Sequence, residues 1–166
     1  MITNYRLIIN CFILILVVNI NYYNHHLLLT LSLISLILDG IDGYLSRFLK
    51  QHTYFGETFD QEVDNFLIFI LSFSLVYNYS YSILIMCVPI YRYIFLVLVK
   101  YGYISNENLP RSVFRKAICV LMTITLILCN YLYTFDSIID LLYVIIILLT
   151  YSFIKDTIWL YRRNSV

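Results

Sequence analysis

Six apolar stretches run through this chain, at about Leu7–Tyr23, Leu27–Asp39, Phe66–Tyr77, Ile83–Val99, Val113–Cys129 and Ile138–Leu160. Their lengths limit the fold more than any other feature. A helix that crosses a bilayer needs roughly 17–25 residues. The second and third stretches are too short alone. They reach that length only if the second helix continues through Arg47 and the third begins near Gly56. Charged residues make up 13% of the chain, against roughly 25% in a soluble domain. Only 4 Gly and 2 Pro are present, which leaves little material for loops. The expectation is an all-α integral membrane protein, a bundle of six transmembrane helices forming a single domain over residues 1–166.

The basic residues give that bundle a direction. Arg6 precedes the first apolar stretch, and Arg47 and Lys50 fall between the second and third. Lys100, Arg111, Arg115 and Lys116 lie between or near the ends of the fourth and fifth, and Arg162 and Arg163 follow the sixth. The alternate connections, "NYYNHH", "YNYSY" and "NYLYTFDS", contain no Lys or Arg. The positive-inside rule then puts both termini in the cytoplasm. The first stretch lacks a small-residue cleavage site after it and reads as a retained span.

Other signals are quiet. A net charge of +1 without a basic tail gives no reason to expect a nucleic-acid partner. Cys11, Cys87, Cys119 and Cys129 stand singly within apolar runs and read as small packing residues. Most of the 17 Tyr cluster near span ends, where Tyr anchors helices at the membrane interface. His25, His26 and His52 read as surface residues.

The acid is not spread evenly. Six of the ten carboxylates, Asp39, Asp42, Glu57, Asp60, Glu62 and Asp64, fall within one segment between two apolar stretches. Asp39 and Asp42 are three apart and share a helix face, and Asp60 and Asp64 are four apart and share a face of the next helix. Glu62 points away from Asp60. Two antiparallel helices joined by the short link "LKQHTYF" would bring both Asp pairs together near the cytoplasmic side. One Asp at a helix centre costs about 2.5–3.5 kcal/mol to insert, and converging carboxylates need compensation. Hard divalent cations supply it, since Mg²⁺ and Mn²⁺ take oxygen ligands and bridge carboxylates to substrate phosphates. Simpler readings fit less well: an EF-hand counted from Asp39 would need Glu at its twelfth position, which is Lys50, and salt bridges to Arg47 and Lys50 would use two acids, not four.

The order Asp39-x-x-Asp42-Gly43-x-x-Ser46-Arg47, then Gly56, Asp60 and Asp64, resembles the signature of the CDP-alcohol phosphatidyltransferases. Seven of its eight positions agree, Ser46 standing where the family usually has Ala. "LPRSVFRKAICV" resembles a basic stretch before the fifth helix of many members, and "FDQEVDNFLI" and the terminal "SFIKDTIWLYRR" resemble segments of a small bacterial subgroup. The amino-terminal Pro-Asn-x-Leu-Thr pattern of the family is absent, so the resemblance runs from about Leu38 to the C-terminus.

That resemblance implies a phospholipid-synthesising enzyme of the bacterial cytoplasmic membrane, with its site near the cytoplasmic side. It would transfer the phosphatidyl group of CDP-diacylglycerol to an alcohol acceptor and release CMP. Asp39, Asp42, Asp60 and Asp64 would hold two Mg²⁺ or Mn²⁺ ions, and Asp64 would be the general base. Gly43, Ser46, Arg47 and Gly56 would bind the CDP moiety. The resemblance also implies a homodimer. Arg92, Arg115 and Lys116 are cations placed to bind an acceptor phosphate, with glycerol 3-phosphate the first candidate; Arg111 and Lys155 are weaker candidates. The rivals are an intramembrane prenyltransferase, whose Asp motifs lie farther apart in sequence, and a non-enzymatic divalent-cation transporter, which would need acids deeper in other helices.

Overall fold

The structure is a computed structural model that describes residues 2–19, 23–49, 54–100, 113–132 and 136–164. Among the described residues six α-helices follow one another: α1 (Ile2–Val18), α2 (His25–Leu49), α3 (Tyr54–Tyr79), α4 (Cys87–Lys100), α5 (Val113–Tyr131) and α6 (Asp136–Asn164). A short 3-10 helix (Ile83–Met86) leads into α4. The described residues are therefore all-helical, as expected. The second helix does continue past Arg47, and the third begins two residues before Gly56.

Local chemistry sets the helix ends. The Asn24 side chain accepts hydrogen bonds from the backbone N–H groups of His26 and Leu27, so it caps the first turn of α2. Ser80, at φ 56°, sits in the left-handed region and turns the chain out of α3. Ser82 then caps the 3-10 helix through Leu84 N–H. Pro89 lies in the first turn of α4, where a missing N–H breaks no helical bond. Both Asp-Gly pairs lie inside α2, so neither makes a turn.

Two expectations about the apolar stretches need correction. The first helix is Ile2–Val18, displaced toward the N-terminus from the expected Leu7–Tyr23. Arg6 is thus within the helix rather than before it, because its charge finds partners inside the bundle. The fourth stretch, Ile83–Val99, is not one helix: Ser82 starts a 3-10 segment and α4 proper begins at Cys87.

The core is built from one face of each of several helices. Ile13 and Val17 of α1, Leu67, Ile70, Leu71 and Leu75 of α3, Met122 and Leu126 of α5, and Leu142 and Ile145 of α6 belong to one buried cluster. Asparagines tie helices together where apolar packing alone has little directional content. Asn130 of α5 donates to the Leu71 carbonyl of α3 at 3.1 Å, and Asn65 of α3 donates to the Pro89 carbonyl of α4 at 3.2 Å. At one end Tyr23 joins Ser74 and Tyr79, while Tyr79 also meets His25 and the Asn130 carbonyl.

The outside is also apolar. Ile8, Ile37, Ile147 and Tyr151 are each at least 60% exposed, and such residues recur along the outer faces of α1, α2 and α6. Exposed apolar side chains in this number point to contact with a partner or a membrane. Two windows, His25–Tyr44 and Ile138–Lys155, are long and apolar enough to cross a bilayer.

Candidate active site

The N-terminal halves of α1 and α3 and the C-terminal half of α2 meet at one end of the bundle. Asp39 sits on α2, and Asp60 and Asp64 on α3. Each of the three offers a carboxylate oxygen, and these atoms all lie within 4.8 Å of one another. The i, i+4 spacing on α3 puts its two Asp on one face, and the antiparallel return of α2 supplies the third. Their side chains are each between 31% and 41% exposed, so the cluster opens outward.

Beneath it lies Arg6, whose side chain is 1% exposed. Its Nη1 lies 3.0 Å from Asp39 Oδ1 and 2.5 Å from Asp60 Oδ1. Its Nη2 donates to Asp64 Oδ1. One guanidinium therefore binds all three carboxylates, which its fork of donors permits and a lysine ammonium would not match in geometry. Two further residues of α1 complete a polar stripe. Thr3 Oγ1 donates to Asp42 Oδ2 at 2.6 Å. Asn10 donates to the Val63 carbonyl at 3.2 Å and accepts from Ser35 Oγ at 2.8 Å. Thr3, Arg6 and Asn10 are three and then four residues apart, so they occupy one face of α1.

The expected site residues fall out as follows. Asp39, Asp60 and Asp64 are brought together; Asp42, three residues along α2 from Asp39, is not in that group and accepts from Thr3 instead. Gly43 is partly buried and Gly56 exposed. Arg92 extends from α4 toward α3, where it donates to Glu62 at 2.7 Å and to Gln61 at 2.8 Å. Glu62 also accepts from the Tyr93 hydroxyl, consistent with its facing away from Asp60. The side chains of Ser46, Arg47, Arg115 and Lys116 lie outside the described residues, as do Lys50, His52 and Arg111 in full. Lys155 is exposed on α6.

The model of the CDP-alcohol phosphatidyltransferase family matches residues 1–134. The chain belongs to that family. Its members are phosphotransferases for substituted phosphate groups, and they transfer a head group using a CDP-alcohol and an alcohol acceptor in phospholipid synthesis. The match starts at the first residue and stops before α6, which corrects the expected coverage from Leu38 to the C-terminus. The absent Pro-Asn-x-Leu-Thr pattern therefore did not mark the edge of the likeness. No curated protein and no solved structure matches the chain. A CDP-alcohol phosphatidyltransferase is membrane-associated, and the apolar helices agree in pointing to a membrane protein.

The family generally depends on divalent cations, and the donor set here suits one. Three part-exposed carboxylates converge, and the group contains no sulfur or imidazole ligand. Such an all-oxygen set suits a hard divalent cation.

Missing from the sequence reading were Thr3, Arg6 and Asn10. Their signal was present: three polar residues on one face at the start of an apolar helix. Arg6 was counted for topology alone, and hydropathy placed it outside the helix.

Proposed function

We propose that this CDP-alcohol phosphatidyltransferase transfers the phosphatidyl group of CDP-diacylglycerol to a polar alcohol and releases CMP. The observation that carries the reading is the convergence of Asp39, Asp60 and Asp64 in a chain of this family. Asp39, Asp42, Asp60 and Asp64 would hold two divalent ions. When bound, such ions stabilise negative charge on the phosphate oxygens.

The residues of the chain do the rest. Asp64, on the exposed rim of the cluster, accepts the proton of the acceptor hydroxyl at its carboxylate. The acceptor oxygen forms a bond to the phosphorus of the phosphatidyl group, and the bond from that phosphorus to the CMP oxygen breaks. Gly43 and Gly56 would leave room for CDP beside the backbone, Ser46 would belong to the same CDP-binding set, and Arg47 would bind the pyrophosphate. Arg115 and Lys116 bind a phosphorylated acceptor such as glycerol 3-phosphate. Arg92 could join them only in competition with Glu62, which now holds its guanidinium.

In this reading residues 1–166 form one domain of six membrane-spanning helices in a bacterial cytoplasmic membrane. Both termini and the carboxylate cluster lie on the cytoplasmic side, and the enzyme works as a homodimer. The apolar exterior of the helices supports the spanning arrangement.

The test is CMP release. Purified protein with CDP-diacylglycerol and Mn²⁺ should release CMP with one member of an acceptor panel containing glycerol 3-phosphate, serine and inositol phosphate. A chelator should abolish the release. A protein that binds Mn²⁺ but releases no CMP with any acceptor would instead fit a cation transporter.

A further inference from the structure

Arg6 is the least exposed charged side chain among the described residues, and it is paired with three carboxylates that repel one another. The signature of the family does not include it, and no step above uses it. We propose that Arg6 is a positioning residue, an internal counter-cation that gathers Asp39, Asp60 and Asp64 before metal binds and holds down their affinity for it. The inference rests on the reading of the cluster as a metal site.

The geometry carries this. Arg6 reaches the cluster from the buried side, through Oδ1 of each carboxylate. The same carboxylates keep roughly a third of their surface open on the other side. Without a cation beneath them, three carboxylates with oxygens within 4.8 Å would repel one another and spread. With one, they are already assembled when an ion arrives. The same positive charge weakens the attraction of the site for a divalent cation, because both draw on the same negative charge. Arg6 Nε has no hydrogen-bond partner among the described residues, so within them the guanidinium is held by the carboxylates. Thr3 and Asn10, on the same face of α1, fix the helix against α2 and α3 on either side of Arg6.

A merely structural arginine and a counter-cation predict opposite results for one measurement. Full-length protein in detergent is stripped with chelator, and Mn²⁺ affinity is titrated by electron paramagnetic resonance. Thermal midpoints are read with chelator and with saturating Mn²⁺. Arg6→Gln should lower the midpoint in chelator, raise Mn²⁺ affinity about tenfold, and widen the gap between the two midpoints. Arg6→Lys keeps the charge with poorer geometry, so its Mn²⁺ affinity should stay near that of the wild type. If Arg6→Gln does not fold in chelator, the lysine variant and a titration of Arg6→Gln purified in Mn²⁺ carry the test. Equal or weaker Mn²⁺ binding by Arg6→Gln, or an affinity for Arg6→Lys that rises as far as that of the glutamine variant, would overturn the proposal. A wild-type protein that binds no Mn²⁺ overturns the metal reading itself, and this inference falls with it.

Discussion

At the scale of single residues, the site is a balance of charges rather than a set of independent ligands. Asp64 contributes both to that balance and to the reaction, and the two parts separate by substitution. Asp64→Asn keeps the shape but removes the basic oxygen, so CMP release at saturating Mn²⁺ should fall by about 10²–10⁴, while the remaining carboxylates still bind the ion with lower affinity. Unchanged turnover would remove Asp64 as the base. Asn10 offers a second test, independent of chemistry. Its buried side chain joins Ser35 of α2 and the Val63 carbonyl of α3. Asn10→Ala leaves the Ser35 hydroxyl without that acceptor and should cost about 1–3 kcal/mol, read as a lower thermal midpoint in detergent. The Asp residues could be found from spacing because period alone puts i, i+3 and i+4 on one face. Arg6 could not be weighed the same way. Its importance comes from what α2 and α3 bring to it across the bundle, and a hydropathy scan sees only a charge near a terminus.

At the scale of elements, the lengths of α2 and α3 decide where the acids lie. Each continues well beyond its apolar stretch; Asp39 closes the stretch of α2, and the extra turns carry Asp42, Asp60 and Asp64. This much followed from the sequence, because neither stretch could span a bilayer without those turns. Helix α1 did not follow, since its first turn is stabilised by contacts with other helices and not by its own pattern. The interruption ahead of α4 was also hidden: Ser82 caps a 3-10 helix inside a run that reads as uniformly apolar. Within α2, Gly40 is helical and a Cβ there would meet nothing within 4 Å. Gly40→Ala should therefore stabilise the protein by roughly 0.5–1 kcal/mol, seen as a raised thermal midpoint. A fall would mean that the backbone at this position leaves helical geometry or is approached by a group from another molecule.

At the scale of the whole molecule, apolar side chains face both inward and outward. Ile13 and Leu75 are fully buried, whereas Ile8 and Ile147 are each about two-thirds exposed. A water-soluble bundle would place polar residues on those outer faces. After washing of membranes with alkaline carbonate, the protein should stay in the pellet, and detergent should be needed to release it. Recovery in the carbonate supernatant would contradict the spanning arrangement.

The two ends of the bundle are held by different forces. Hydroxyls, an imidazole and a backbone carbonyl join Tyr23, Ser74, Tyr79, His25 and Asn130 at one end, and full charges meet at the other. Dissolved salt screens exposed charges far more than buried ones, and the guanidinium of Arg6 is buried. Raising the ionic strength should thus leave both ends of the bundle closed, the charged clasp as well as the tyrosine knot.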